Sequence, residues 1–272
     1  MPSRDKKHQP IVLSIAGYDP SSGAGITADV KTIAAHGCYA ITCITALTVQ
    51  STQGVKRVES VDTRIITETL EDLASDFQIA AVKIGMLGAV EAVRAVAAFL
   101  RRNRFMHVVL DPVLQSSSGM ELLSREGIDL LRERLMTLTS VMTPNIDEAA
   151  ALTELPVTTV EEMKAAALKL HTMSARNVII TGGHLDEPVD LLSTEGGRKV
   201  KLLKGKKVHG PSTHGTGCAF SAALACNLAR GRNLSDAAAA AKQYVTMALK
   251  SAKSMGKGRG PVNHLYRMGN GK

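Results

Sequence analysis

The order of apolar runs along this chain predicts an α/β fold, a mostly parallel sheet flanked by helices with an antiparallel hairpin at its edge. Three observations carry that prediction. Short β-branched runs alternate with longer helical patterns from the start of the chain to residue 182, the arrangement that builds parallel strands joined by crossover helices. Beyond Gly182 two runs flank a Gly196-Gly197 turn, which reads as a hairpin. The 272 residues are 44% hydrophobic but only 3% aromatic and contain no tryptophan, so the core is aliphatic, and a chain of this length buries such a core without disulfides or metals.

The elements follow in order. Residues 11–16 form the first strand, and a GYDPSSGAG turn delivers the chain to a helix starting near Gly23 and ended by Gly37. Apolar runs at 40–48, 81–84, 107–110, 140–142 and 177–181 are mostly too short for helices and read as strands. Between them, helices start near Thr63, Ala89, Ser124, Asn145 and Thr159. The lysines of the following hairpin suit an edge strand, because exposed charge there discourages pairing with other chains. Two alanine-rich helices at 215–231 and 235–253 close the chain, their small side chains allowing close packing on the sheet. No internal repeat or long linker divides the sequence, so residues 1–272 are expected to form one domain, with 1–9 and about 258–272 as tails.

The formal charge of +8 invites a nucleic-acid reading, but the charge is segregated. Residues 1–10, 198–209 and 250–272 together carry +14, which leaves the remainder at −6. The body is acidic, and Tyr266 is the only aromatic in the basic stretches, whereas single-stranded nucleic acid is gripped by aromatic platforms among positive charge. No apolar run approaches the roughly 18–20 residues that span a bilayer. The four cysteines, Cys38, Cys43, Cys218 and Cys226, form no CxxC pair and no zinc spacing with histidine. The opening MPSRDKKHQP has no signal-peptide apolar stretch, so a reducing cytoplasm is the expected compartment.

The chemistry-bearing residues cluster at predicted strand carboxyl ends, where open α/β sheets bind ligands. The first loop carries Gly17, Gly23 and Gly25 but no GxGxxG, so a dinucleotide loop gives way to a substrate loop displaying Asp19. Gln50 ends the second strand, and its amide can pair with the ring nitrogen and amino group of an aminopyrimidine, or simply face water. Asp111 ends the fourth predicted strand, and Asn145 and Glu148 follow the fifth. These oxygen donors suit Mg²⁺, while Asn145 and Glu148 equally suit a helix capping box. In PSTHGTGCAF, Gly215, Thr216 and Gly217 lead into a helix whose N-terminus attracts an anion. Cys218 lies in its first turn, where a thiol can fall below its ordinary ~8.5 and serve as a base, or simply pack as a small buried residue at a tight helix start.

Taken together, SIAGYDPSSGAGITADVKT, ITALTVQST, VKIGMLG, VVLDPV, TPNIDEAA, TGGH, HGTGC and GKGRGPVNH closely resemble the hydroxymethylpyrimidine/phosphomethylpyrimidine kinases of the ribokinase-like superfamily, across nearly the whole chain. The resemblance implies a three-layer αβα sandwich on a doubly wound sheet. It further implies phosphorylation of 4-amino-5-hydroxymethyl-2-methylpyrimidine and then of its monophosphate, with ATP and Mg²⁺; a homodimer is expected. Residue by residue, it implies that Gln50 reads the pyrimidine edge, Met86 lines the ring, and Gly17 and Asp19 lie in the substrate loop. Gly215, Thr216 and Gly217 become the anion hole, Cys218 takes the position of the base, and Asp111, Asn145 and Glu148 the magnesium and phosphate network.

Some positions depart from the family pattern. Thr181 in TGGH stands where a lysine near ATP is usual; Thr181 and Gly183 are expected beside the nucleotide, with Lys257 compensating for the missing charge. Ser117, Met120 and Tyr18 also differ from their usual counterparts. The nearest rival activity is pyridoxal/pyridoxine phosphorylation on the same scaffold. A more distant one is non-catalytic binding of a ligand or nucleic acid through the basic tails.

Overall fold

The computed structural model describes residues 9–183, 185, 188–208, 210 and 212–268. The chain begins with β1 (Ile11–Tyr18), α1 (Gly25–Ala35), β2 (Tyr39–Ser51), β3 (Gly54–Ser60), α2 (Thr63–Asp76), β4 (Ile79–Ile84), α3 (Val90–Arg102) and β5 (Val108–Leu110). It continues through α4 (Arg125–Leu130), β6 (Val141–Met142), α5 (Ile146–Thr153), α6 (Val160–Thr172), β7 (Val178–Gly182), β8 (Val189–Thr194), β9 (Lys199–Lys204), α7 (Thr216–Ala229) and α8 (Leu234–Lys250).

The nine strands form one sheet in the order β3-β2-β1-β4-β5-β6-β7-β8-β9. Strands β1, β2, β4, β5, β6 and β7 run parallel, and β8–β9 is the expected antiparallel hairpin. Strand alternation explains the three layers. Leu13, Ile15, Val82, Ile84 and Val108 face one core with α2, α3, α5 and α6, whereas Val12, Ala81, Val109, Val141 and Ile179 face the other with α1, α7 and α8. Both cores are mostly aliphatic, as the composition required, with Phe99 in the first and Phe220 and Tyr244 in the second. Because the chain proceeds from β1 to β2 on one side and returns to β4 on the other, the topological switch point lies between β1 and β4.

Sequence and structure part at three places. Strand β3 pairs antiparallel with the second half of β2 and was not expected: only Val55 and Val58 are apolar in GVKRVES, so an edge strand looked like a loop. The helix predicted from Ser124 is α4 with Ser124 as its cap, but it runs on through a π-type turn at Leu131–Leu135. Residues 258–268 pack on the body instead of trailing from it; the Gly258 N–H donates to Thr52 Oγ1 (3.2 Å) and that of Val262 to the His214 carbonyl (3.2 Å). The remaining tail positions, 1–8 and 269–272, and His184 of TGGH lie outside the described residues. No helix among the described residues is long and apolar enough to cross a membrane.

Candidate active site

The loops that end β1 and precede α7 interlock at the switch point. Gly215 has φ of 84°, and a Cβ there would collide with the Gly23 carbonyl, so only glycine fits. Neither α1 nor α7 has a side-chain cap. Their N-termini converge where the two loops interlock, so two helix dipoles point positive ends at one spot. Gly215, Thr216 and Gly217 were expected there. The contribution of α1 comes from packing between distant loops and left no local mark in the sequence.

On the β2 side, the Met86 sulfur sits 2.8 Å from where a Gly17 Cβ would be, and Met86 clusters with Ala46 and Leu122. Gln50 lies half-buried at the end of β2, 3.2 Å from His214 Nε2. His214 Nε2 is in turn 2.8 Å from Asp19 Oδ2. Asp19 does not display its carboxylate to a ligand as expected. Oδ1 accepts from the Ser21 backbone and hydroxyl (2.8 and 2.7 Å), Oδ2 from the Gly23 and Ala24 N–H groups as well as His214. Burial presses its pKa upward, but the bonds from His214, Ser21 and Ala24 hold it below the ordinary carboxylate value.

With Asp19 ionised, His214 Nε2 carries a proton and donates it there, so the Gln50 atom facing the ring must be an acceptor. The amide oxygen therefore faces His214 and the amide nitrogen faces Thr48 Oγ1, whose own proton goes to the Tyr18 carbonyl (2.9 Å). One lone pair and one N–H of Gln50 stay available. His214 escaped the sequence reading, since nothing local in THGTGC marks a histidine as the partner of Gln50 or Asp19. Tyr18 is 37% exposed and pairs in register with Leu47 at the end of β1.

On the β5–β7 side, Asp111, Glu148 and Thr181 follow one another along the carboxyl edge. A Cβ at Gly217 would lie 3.9 Å from both Asp111 oxygens, which puts that carboxylate directly under the anion cradle. Ser221 Oγ donates to Asp111 Oδ2 (2.9 Å). Burial raises Asp111, against Lys83 and Ser221; burial also raises Glu148 well above its ordinary value, and the charge of Asp111 adds to this. Asn145 and Glu148 form the full capping box of α5. The Asn145 oxygen is spent on the Glu148 N–H (2.8 Å), so Asn145 has only its NH₂ to offer a phosphate. Asn145 bridges Thr181 on β7, and Gly183 beyond it faces open space.

Lys257 does not join Thr181. Its neighbour Gly258 is bound to Thr52 at the β2–β3 turn, and β2 and β7 are five strands apart, about 24 Å at ~4.8 Å per strand. A cation near Thr181 among the described residues is Lys242 on α8, which pairs at 2.8 Å with Asp190, the register partner of Thr181.

Beneath the cradle lies a charge network that the sequence did not announce. Lys83 is wholly buried; its Nζ is 2.9 Å from Asp29 Oδ2 on α1 and 3.9 Å from Asp111 Oδ2. Burial works to lower Lys83, but Asp29, Cys218 and Asp111 hold it above the ordinary lysine value. Cys218 is the clearest correction. Burial pushes its thiol up to about 12, against Lys83 and a hydrogen bond from the Gly25 backbone and with help from Asp111 and Asp29. The shift is upward where a fall was expected, and the residue stays partly exposed.

The loop after β5 folds over the β2 side. Gln115 bridges Glu121, Met120 packs on the Met86 cluster, and Ser118 Oγ accepts from the Val55 N–H (3.3 Å). Arg259 donates to the Ser117 carbonyl (3.2 Å). Both departures from the family pattern in this loop, Ser117 and Met120, are thus accommodated in contacts that hold it down.

A family model described as phosphomethylpyrimidine kinase matches residues 19–263. The chain is 41% identical, over 93% of its length, to the thiamine biosynthesis bifunctional protein ThiED of Geobacter sulfurreducens, and spans about half (52%) of that larger protein. It is 42% identical to the hydroxymethylpyrimidine/phosphomethylpyrimidine kinase of Haemophilus influenzae, over 93% of this chain and 96% of the relative. Among solved structures, the ADP complex of Bacillus subtilis pyridoxal kinase superposes with a TM-score of 0.86 at 34% identity, covering 94% of this chain and 97% of that one.

Proposed function

The chain belongs to the phosphomethylpyrimidine kinase family, and we propose that it phosphorylates 4-amino-5-hydroxymethyl-2-methylpyrimidine and then its monophosphate with ATP, in thiamine biosynthesis. The observation that carries this reading is the amide of Gln50, oriented by Asp19 and His214 beside the Met86–Gly17 wall and opposite the anion cradle. An amide with one acceptor and one donor to spare matches the amino group and adjacent ring nitrogen of an aminopyrimidine.

The chain's own contributions to transfer are positional and electrostatic. N–H groups at the ends of α1 and α7 take up charge on the transferring phosphoryl group, in a site that needs no reorganisation as that charge develops. Asp111 and Glu148 fit a divalent cation. Both are buried carboxylates raised by burial, and the charge of Asp111 raises Glu148 further; Mg²⁺ needs few protein ligands because it keeps waters and phosphate oxygens. Bound there with the nucleotide, Mg²⁺ would supply neutralisation of phosphate charge. Asn145, Thr181, Gly183 and Lys242 line the nucleotide side. A neutral Cys218 donates a hydrogen bond or packs against the acceptor oxygen; it does not abstract a proton, and a loose transition state makes little demand for a base.

Following the phosphorus resonances of ATP and product tests the proposal. Conversion of the alcohol to monophosphate and then to diphosphate is expected, and a reaction that never passes monophosphate contradicts it. The likeness to a pyridoxal kinase supports a second reading, tested by offering pyridoxal to the same preparation. A homodimer is part of the proposal, and light scattering measures it directly.

A further inference from the structure

At the amino ends of the strands, away from the cradle, a cavity of about 350 Å³ is lined by His36, Asn227, Arg230, Arg232 and Arg267. It lies where α1 and α7 end. Helices of 11 and 14 residues place it about 16–21 Å from the cradle where both begin. We propose that this cavity is a second anion site, for a small phosphorylated molecule bearing two linked phosphoryl groups. The inference is independent of the catalytic reading.

Three guanidiniums face one concavity, and among the described residues none has a carboxylate within ion-pair distance. Two are held in place. Arg230 donates to the His36 carbonyl (2.7 Å), and Arg267 lies over the rings of Tyr244 and Tyr266, 5.2 and 5.8 Å from their centroids. The Arg232 side chain makes no hydrogen bond or ion pair to any described residue. Helix C-termini are negative, and one guanidinium spent on a terminal carbonyl is ordinary; the other two exceed that need.

His36 is buried beside these arginines. It is 6% exposed, its Nδ1 donates to the Thr32 carbonyl (2.8 Å), and its Nε2 has no partner. Burial lowers its pKa to about 4 against the bond to Thr32, and the charges of Arg267, Arg230 and Arg232 add to the fall.

Size and charge select the ligand. A volume of 350 Å³ lies at the lower end of small-molecule pockets, roughly 300–1,000 Å³, and exceeds a single phosphate. Guanidinium forks bind phosphate oxygens in pairs, and a diphosphate presents enough oxygens and charge for three of them. A polynucleotide would need a track of cations and free aromatic faces; here the nearby tyrosines are taken by Arg267.

Nitrogen-resolved NMR titration of the whole chain with inorganic pyrophosphate, in magnesium-free buffer, separates this cavity from the cradle. Amides of Gly37, Gly231 and Arg232 should shift saturably, at least tenfold more tightly than with orthophosphate. R232E should weaken that response tenfold or more while the shifts of Gly215 and Gly217 keep their own midpoint; since Arg232 holds nothing in place, its fold is retained, and R267Q should act in the same direction. Absence of a saturable shift at the cavity overturns the proposal, as does a midpoint changed less than twofold in both variants. Equal affinity for orthophosphate overturns the two-phosphoryl assignment, and tighter response to an RNA oligonucleotide overturns the small-molecule one.

Discussion

At position 50 a leucine would keep most of the side-chain volume and remove both hydrogen-bonding functions. A site built to pair two groups on a heterocycle loses roughly 1–3 kcal/mol when they are left unpaired, so Q50L should raise the KM for the aminopyrimidine about 10- to 100-fold and leave that for ATP within about twofold. Steady-state kinetics with each substrate varied in turn measures the split; parallel changes in both would refute the edge-reading role. Cys218 permits an equally sharp test. With the thiol held at about 12 by burial, C218A should slow alcohol and phosphate phosphorylation alike, whereas loss confined to the alcohol step, on the ~10²–10⁴-fold scale of a general base, would restore the role expected from sequence. Gln50 and the glycines were legible because their type suggests their use, whereas Met86 came only from the likeness to a family. Asp19 and His214 were not, because a carboxylate that serves its own loop looks in sequence like one that serves a ligand.

The elements meet beneath the cradle, where Lys83 on β4 joins Asp29 on α1 to Asp111 after β5. Removing one member of a buried pair strands the other charge and costs about 3–5 kcal/mol. K83M should therefore lower unfolding stability by that amount in urea titration, and a change below ~1 kcal/mol would show that the network does not anchor α1. The strand-helix order was legible through to β7 because buried parallel strands are continuous apolar runs. Strand β3 was hidden by its charge, and the partnership of α1 with α7 at one anion cradle by their separation in the chain. Lysine 83 was visible only as part of an apolar motif, VKIGMLG, whose period says nothing of a buried cation.

For the whole molecule, the candidate metal carboxylates hold stability in tension with function. Glu148 is raised well above its ordinary value by burial and by Asp111. Ionising it costs the folded state more than the unfolded one, so this contribution to stability falls as pH rises through the raised value and recovers below it. E148Q removes the penalty and keeps an acceptor for the Asn145 N–H. In calorimetry at pH 8 without magnesium it should melt above the wild type, with the gap closing toward pH 5, while its turnover collapses; a lower melting point at pH 8 would contradict this account. The segregated charge, too, takes on a narrower meaning, since Lys199–Lys204 is an edge strand and Arg267 lies against tyrosines, neither arranged as a nucleic-acid track. The central claim concerns what the assembled site phosphorylates. Its most direct test is kcat/KM of the purified chain with ATP and Mg²⁺, measured side by side on the hydroxymethylpyrimidine, its monophosphate and pyridoxal. Both pyrimidines should exceed pyridoxal by about tenfold or more, as expected when a buried hydrogen-bonding site meets a ligand that cannot match it; preference for pyridoxal, or no turnover of either pyrimidine, would contradict it.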